Sequence, residues 1–151
     1  MHVWRLCREE NADLSGVGAR LYGGRWNSPS RAVVYTASSL SLAFVEIIPG
    51  LRKGIFPKGF VSLHIAIEES VSKKEINLED FPAGWREGKA NKWFIEMGNN
   101  WLQERKELLL IAPSAIVPEE KNILINPHHP EINLVEITAI KPFTIDPRFI
   151  S

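Results

Sequence analysis

Residues 32–48 read AVVYTASSLSLAFVEII, a strand pattern followed at once by a helix pattern. The first five of them, Ala32 to Thr36, are mostly β-branched or aromatic and predict a strand. Ser38 or Ser39 can then cap a helix, because a serine oxygen accepts one of the unpaired N–H groups of a first helical turn. The helix would cover residues 40–48 and end before the proline that follows, since proline cannot continue it.

The chain on either side of this stretch adds further strands and a second helix. Residues 60–67, FVSLHIAI, alternate apolar and polar side chains, which is typical of a half-buried strand. Residues 89–105 predict an amphipathic helix whose apolar stripe, including Trp93 and Phe94, packs in the core. The remaining predicted strands are Val3 to Leu6, Leu108 to Ile111, Asn122 to Ile125, Leu134 to Ile140 and an edge strand within PFTIDPRFI at residues 142–150.

Length and element order together define the expected fold. The chain has 151 residues, of which 44% are hydrophobic, as in one soluble domain with a core of its own. Strands outnumber helices and do not alternate regularly with them. The sequence therefore predicts a single α+β domain over residues 1–151, with a mixed or antiparallel sheet flanked by helices.

The charge balance disfavours several classes of protein. Eighteen Lys and Arg residues match 18 Asp and Glu residues, which argues against direct nucleic-acid binding and against a polybasic membrane patch. No apolar run reaches the roughly 20 residues of a membrane span, and the first residues lack the apolar core of a signal peptide. The single cysteine, Cys7, suits a reducing compartment. We expect a cytoplasmic protein that does not bind membranes.

Residues 11–31 predict a long loop, and its densest feature is GGRWNS at residues 23–28. Long irregular segments are often functional. Two adjacent glycines let a backbone approach a ligand closely, and the Arg25 guanidinium can hold a phosphate or carboxylate through two parallel hydrogen bonds. Trp26 can stack on a ring. The alternative is a plain surface loop in which Arg25 packs on Trp26 and makes an ion pair.

Three further residues have polar groups in apolar surroundings. Glu46 has almost only apolar neighbours, so its carboxylate either is paired, faces a cleft, or lies on an exposed outer stripe of the helix. Tyr35 is either a core tyrosine with a satisfied hydroxyl or a ring that stacks on a ligand. Ser114 follows a proline, as turn serines do, and lacks the GxSxG context of a serine hydrolase.

The histidine pair in NPHHP, residues 126–130, suggests a metal site at first sight. Adjacent histidines lie on opposite sides of an extended chain, however, and no other His or Cys cluster completes a ligand set. We therefore predict no metal. Walker-type and dinucleotide-fold glycine patterns are also absent, so any nucleotide chemistry must use another architecture.

Six short segments, spread over almost the whole chain, follow one another in a characteristic order. They are WRL at 4–6, GARLYGGRWNS at 18–28, VVYTASSLSLAFVEI at 33–47, PSAIVP at 113–118, NILINPHHP at 122–130 and FTIDPRF at 143–149. In this order they resemble the RES domain family, which is named after its Arg, Glu and Ser motif residues.

The resemblance implies a fold similar to that of ADP-ribosyltransferases. It also implies a bacterial toxin of a type II toxin–antitoxin pair, held in a higher-order complex with an Xre-type helix-turn-helix antitoxin. The implied substrate is NAD+, consumed by hydrolysis or phosphorolysis of the nicotinamide–ribose bond with no further cofactor. Transfer of ADP-ribose to a cellular protein is the alternative. The implied catalytic residues are Arg25, Tyr35, Glu46 and Ser114, and the implied NAD+-binding residues are Arg5, Arg25, Trp26 and Asn126.

Each implied residue suits one part of this chemistry. Glu46 can stabilise the oxocarbenium-like ribosyl centre and hold the 2′-hydroxyl, as carboxylates do in glycoside cleavage. Arg25, together with Arg5, can hold the pyrophosphate. Tyr35 can stack on nicotinamide, and the Ser114 hydroxyl can bond the amide or the ribose. In an empty site Arg25 can pair with Glu46.

A function of another class also fits the residues. Arg and Trp are favoured at the centres of protein interfaces. Arg25 and Trp26 can therefore belong to a non-catalytic module that binds a partner's carboxylate or chain terminus.

Overall fold

A seven-stranded sheet forms the centre of the protein in the computed structural model, which describes residues 1–54 and 58–151. Its strands are β1 (His2–Arg8), β2 (Val34–Ala37), β3 (Phe60–Ile67), β4 (Lys73–Glu75), β5 (Leu109–Pro113), β6 (Lys121–Ile125) and β7 (Val135–Pro142). They lie in the order β4-β5-β6-β2-β1-β3-β7. Only β4 and β5 run parallel, and every other neighbouring pair is antiparallel. The predicted α+β class with a mixed sheet is confirmed.

Three α-helices accompany the sheet in the described part of the chain: α1 (Val17–Tyr22), α2 (Leu40–Ile47) and α3 (Asn91–Glu104). Helix α2 begins at the predicted cap, because the Ser39 hydroxyl oxygen accepts the Leu42 N–H at 3.1 Å. Helix α3 covers most of the predicted residues 89–105 and buries the predicted apolar stripe. Its buried side includes Phe94, Trp101 and Leu102.

The two faces of the sheet carry separate apolar clusters. Alternate residues of β5 divide between them, with Leu109 in the first cluster and Leu110 in the second. The second cluster also holds the buried side of α3, and α2 packs nearby against Leu6 and Ala37. Since directly opposed residues of paired strands share a face, Tyr35 and Asn122 lie on the same side of the sheet as Ala37.

The structure corrects two sequence predictions and adds a strand that was not predicted. Residues 11–31 are not wholly loop, because α1 lies within them and ends at Gly23, whose φ of 74° is left-handed. The segment PFTIDPRFI forms no strand of its own; it contains a short 3₁₀ turn, Pro147–Phe149, capped by the Asp146 side chain. Strand β4 was not predicted, since its residues KKE carry charges and no apolar alternation.

Candidate active site

The GGRWNS segment forms a tight turn between α1 and β2. Gly24 and Asn27 pair across it, and the Gly24 N–H donates to the Asn27 carbonyl at 3.0 Å. Arg25 and Trp26 occupy the tip of the turn. Arg25 lines a cavity, whereas Trp26 is only 2% exposed and packs edge to face on Phe94, with 5.0 Å between ring centroids.

Asn27 anchors this turn from inside. Its Nδ2 donates to the carbonyls of Ala19 (2.9 Å) and Arg31 (3.0 Å), and its Oδ1 accepts the Tyr35 hydroxyl at 2.7 Å. The Tyr35 hydroxyl in turn accepts the Trp26 N–H at 3.0 Å. The hydroxyl is therefore satisfied, and burial raises the pKa of Tyr35. Asn27 belongs to the GGRWNS motif, but its role could not be predicted from the sequence, since only the folded turn shows what it joins.

Two glycines allow close packing around the turn. A Cβ at Gly24 would lie 2.8 Å from the Tyr35 hydroxyl oxygen, and a Cβ at Gly98 would lie 1.7 Å from the Trp26 carbonyl oxygen. Real Cβ atoms do not approach heavy atoms that closely, so α3 can lie against the turn only with glycine at position 98. The role of Gly98 was not predicted, because nothing in a helical pattern shows what the helix packs against.

The Arg25 guanidinium is partly buried and has unpaired donors. Its Cζ lies 4.1 Å from the centroid of the Phe94 ring, a cation–π distance. Its Nε and Nη2 are buried and have no hydrogen-bond partner among the described residues. Burial lowers the pKa of Arg25, and the nearby Glu46 charge partly opposes that shift. Guanidinium donors in this state suit a carboxylate or phosphate ligand.

Glu46 lies on the last turn of α2, and two side chains hold one of its oxygens. Its Oε1 accepts the Ser114 hydroxyl at 2.6 Å and the Asn122 Nδ2 at 2.9 Å. Ser114 is fully buried, and its oxygen accepts the N–H groups of Ile116 (3.1 Å) and Val117 (3.0 Å). These two bonds fix the hydroxyl so that its single proton is directed at the carboxylate. Within the described chain, no hydrogen bond reaches Oε2.

One cavity of about 480 Å³ brings the predicted charged groups together. Arg25, Tyr35 and Glu46 all line it, and its size is that of a small-molecule site. The expected pairing of Arg25 with Glu46 is not found, since the ion pairs of the described residues involve other groups. Other lining residues include Trp4, Arg5, Tyr22, Thr36 and Asn122.

Arg5 lies at this cavity, but part of its guanidinium is already engaged. Its Nη1 donates to the carbonyls of Asn11 at 3.0 Å and Asp13 at 2.9 Å. Arg5 therefore holds the chain segment that precedes α1. Its contact with a pyrophosphate stays a prediction.

Three of the residues predicted to act on NAD+ do not line the cavity. Trp26 does not line the cavity, because its indole packs among core aromatic rings. Ser114 does not line it either, and its hydroxyl donates a hydrogen bond to the Glu46 carboxylate. Asn126 is buried outside it, where its Nδ2 donates to the Leu102 carbonyl at 3.1 Å. Trp26 and Ser114 therefore act on the site through the turn and the carboxylate, and Asn126 belongs to a different region.

The histidine pair is used within the chain. The His129 Nδ1 accepts the Glu131 N–H at 3.0 Å, which caps a short 3₁₀ turn. Residues 1–54 and 58–151 contain no group of three or more His, Cys, Asp or Glu side chains placed to hold a metal ion. In the same residues, no helix combines the length and apolar character that a membrane span requires.

The fold and the two opposite charges that line this cavity point to a class of protein, and comparison with known proteins identifies it. The chain belongs to the RES domain family, whose profile matches residues 2–146. The family predicted from the ordered motifs is thereby confirmed.

Relatives of similar length carry toxin names. The chain is 37% identical to a "Prs ADP-ribosylating toxin" of Sphingobium sp. (strain YBL2), over 97% of this chain and 95% of the relative. It is 35% identical to a "Toxin Res" of Yersinia enterocolitica, over 89% of this chain and 88% of the relative. The crystal structure of the M. tuberculosis MbcT–MbcA toxin–antitoxin complex contains a similar fold, with a TM-score of 0.79, 14% identity, and coverage of 95% of this chain and 84% of that one.

Proposed function

We propose that this protein is the toxin of a bacterial toxin–antitoxin pair and that it cleaves the nicotinamide–ribose bond of NAD+. One observation carries the proposal. The unpaired donors of Arg25 and the half-engaged carboxylate of Glu46 belong to residues that line the same cavity of about 480 Å³. NAD+ offers a group for each of them, with its pyrophosphate for the cation and its ribosyl carbon for the anion.

Arg25 binds the pyrophosphate in this proposal. Its buried Nε and Nη2 have no partner in the described part of the chain, and phosphate oxygens accept from two guanidinium nitrogens at once. Binding therefore supplies hydrogen bonds that these two nitrogens do not make within the described chain. The Phe94 ring beneath the guanidinium, at 4.1 Å, keeps its plane in place.

Glu46 stabilises the charge that develops when the bond breaks. The C1′–N1 bond cleaves, nicotinamide leaves as a neutral molecule with the bonding electron pair, and the ribosyl carbon becomes oxocarbenium-like. A carboxylate already oriented by Ser114 and Asn122 needs no reorganisation to face that charge. Water or phosphate then attacks C1′ and loses a proton.

Tyr35 contributes its ring and not its hydroxyl. Both hydrogen bonds of the hydroxyl are made within the protein, to Trp26 and Asn27. Its ring lies at the cavity, where it can stack on the nicotinamide ring. In this arrangement the hydroxyl fixes the angle of the ring.

A second acceptor is favoured by a relative's name. The 37% identical Sphingobium protein is named an ADP-ribosylating toxin of Prs, so a protein side chain is a candidate acceptor in place of water or phosphate. Cleavage of the nicotinamide bond is common to both reactions. Only the nucleophile that attacks C1′ differs.

A partner protein completes the proposal. The fold neighbour MbcT was crystallised in a toxin–antitoxin complex with MbcA, and the motif resemblance implies an Xre-type antitoxin. We propose that such an antitoxin holds this chain inactive in the cytoplasm, in a higher-order complex. Release from it would expose the cellular NAD+ pool to the site.

The test is nicotinamide release by the purified protein, freed of any antitoxin and followed by chromatography with and without phosphate. We expect NAD+ to be consumed by the wild type and by Glu104→Gln, which makes the same change on the surface of α3. We expect Glu46→Gln to lose at least roughly 100-fold in rate, since an amide does not stabilise a developing cation as a carboxylate does. Intact NAD+ after long incubation with folded wild type would refute the proposal and favour the non-catalytic binding module.

Labelled NAD+ in a cell lysate distinguishes the acceptors. A discrete labelled protein band is the result expected of transfer to a protein. Small-molecule products alone are the result expected of hydrolysis or phosphorolysis, and the phosphate dependence separates those two.

A further inference from the structure

Asn122 has a polar atom that the contacts above leave without a partner. It lies on β6 opposite Ala37 of β2 and is one of the residues that line the cavity. Its Nδ2 donates to Glu46 Oε1 at 2.9 Å. Its Oδ1 is buried and has no hydrogen-bond partner among the described residues.

The chemistry of the contact fixes which end of the amide is free. An ionised carboxylate only accepts hydrogen bonds, so the nitrogen of the amide must face Glu46 and the oxygen must face away. A buried carbonyl oxygen without a donor is costly and rare in native proteins. The site therefore presents an acceptor that a bound molecule can satisfy.

The position of this acceptor indicates which part of the substrate meets it. Phosphate oxygens are acceptors themselves and would be repelled, so the pyrophosphate is excluded as its partner. The same planar amide touches Glu46, whose proposed work is at the ribosyl carbon. The neighbouring donors of NAD+ are the hydroxyls of the nicotinamide ribose and the N–H groups of the carboxamide.

We propose that Asn122 has two roles in the reaction, an inference that rests on the proposed NAD+ cleavage. Through Nδ2 it positions Glu46 together with Ser114. Through Oδ1 it accepts a hydrogen bond from a neutral donor on the nicotinamide riboside half of the substrate. Asn122 is thus both a positioning residue and a substrate contact, and nothing in its sequence context NILINPHHP assigned it either role.

The test compares substrates as well as variants. Asn122→Ala removes both polar atoms, and Asn122→Val removes them while filling the space with a side chain suited to a strand. Each is assayed with NAD+, with the 3-acetylpyridine analogue, which lacks the carboxamide N–H groups, and with analogues lacking one hydroxyl of the nicotinamide ribose. Ser72→Ala is the control, because it removes a partly buried hydrogen bond to Glu131, and neither residue lines the cavity.

We expect both Asn122 variants to lower kcat by roughly 10- to 100-fold through misplacement of Glu46. For each protein we compare the rate with an analogue to the rate with NAD+. We expect one analogue to lower the rate of the wild type by roughly 3- to 10-fold more than it lowers the rate of the variants, which is the size of one neutral hydrogen bond. If the larger loss occurs with the acetylpyridine analogue, the donor is the carboxamide. If it occurs with a deoxy analogue, the donor is the hydroxyl which that analogue lacks. Differences in intrinsic reactivity between substrates cancel in this comparison.

Equal losses in wild type and variants for every analogue would overturn the substrate contact. An unchanged kcat for NAD+ in Asn122→Val would overturn the positioning role. Both outcomes require an active wild type. If the wild type releases no nicotinamide from NAD+, the proposed function fails first and the inference fails with it, so the two failures are distinguishable.

Discussion

The two charged groups of the cavity are held in opposite ways. On the Arg25 side, the backbone is anchored, because Asn27 ties the turn to its surroundings. The guanidinium itself makes no hydrogen bond through Nε or Nη2 to any described residue. On the Glu46 side, the charged group is anchored: Ser114 and Asn122 both bond its Oε1. At Arg25 the fold positions the backbone of the turn and leaves two guanidinium nitrogens without partners among the described residues. At Glu46 it positions the carboxylate itself.

The difference matches what each group is proposed to do. A cation that must bind phosphate oxygens gains most when its donors are free before binding, although unpaired buried donors lower the stability of the empty protein. A carboxylate that must face a short-lived positive charge gains most when its orientation is set beforehand. We therefore expect a substitution that removes the Arg25 guanidinium to lower activity without lowering stability. We expect the loss of a contact that holds Glu46 to lower both.

The largest expected effect comes from Arg25→Met, which keeps an unbranched side chain over Phe94 and removes the guanidinium. We expect nicotinamide release to fall by roughly 100- to 1,000-fold. We expect the free energy of unfolding to equal that of the wild type or to exceed it by up to about 1 kcal/mol, because two buried donors no longer lack partners. The rate assay and thermal unfolding together check this.

Arg25→Lys serves as the companion variant. It restores the charge without the two-pronged geometry, so we expect only a small part of the lost rate to return. A folded Arg25→Met protein that keeps its full rate would contradict the proposed role. A strong drop in its stability would show that the guanidinium is paired in solution.

The next largest effect is expected from Gly98→Ala, which disturbs the packing of α3 against the turn and keeps both charged residues. The new Cβ would lie 1.7 Å from the Trp26 carbonyl oxygen, so the turn or α3 must shift. We expect a loss of about 1–3 kcal/mol in the free energy of unfolding and a fall of roughly 100-fold in rate, since Arg25 moves with Trp26.

Gly50→Ala is the matched control for that experiment. Among the described residues, a Cβ there would meet nothing within 4 Å, and we expect stability and rate close to those of the wild type. If Gly98→Ala lowers stability but leaves the rate per folded molecule unchanged, the position of Arg25 does not depend on the packing of α3 against the turn.

The Arg25 and Glu46 sides of the cavity also show how much of the structure could be predicted from the sequence. The strand and helix within residues 32–48 were predictable because their signals are local: β-branched residues, a capping serine and a following proline. The strand over residues 60–67 matches its prediction at both ends, since alternation alone specifies it. Glu46 could be singled out for the same reason, as a carboxylate among apolar neighbours.

The residues that hold the site were not predictable in this way. Asn27, Gly98 and Asn122 act through contacts with segments distant in sequence, and their types are ordinary for a turn, a helix and a strand. Trp26 was assigned to the ligand because a tryptophan beside a glycine-rich arginine suits stacking. Its direction depends on a turn geometry that puts neighbouring side chains on different sides.

Ser114→Ala should have a moderate effect on both quantities. It removes one donor to Glu46 and leaves the Ile116 and Val117 N–H groups without their acceptor. We expect the free energy of unfolding to fall by about 1–3 kcal/mol and the rate by roughly 10-fold, because Asn122 still holds the carboxylate. Ser70→Ala, at an exposed serine, is the control.

For this variant the split between kinetic constants matters. Since Ser114 is fully buried and absent from the cavity lining, we expect kcat to fall while KM stays within about two-fold, as for an interaction made in the transition state. A rise in KM alone would indicate a direct contact between the hydroxyl and the substrate.

The smallest expected effect comes from Tyr35→Phe, which separates the ring from its hydroxyl. The ring stays at the cavity, while the Trp26 N–H and the Asn27 Oδ1 lose their shared partner. We expect the free energy of unfolding to fall by about 1–2 kcal/mol and the rate to fall by roughly two- to five-fold, because one anchor of the turn is lost and the others remain. Thr138→Val, which removes a hydroxyl bonded at an exposed position, is the control. A loss in Tyr35→Phe as large as that in Arg25→Met would mean that the hydroxyl acts on the substrate, and the division between an anchored frame and an anchored charge would then not hold.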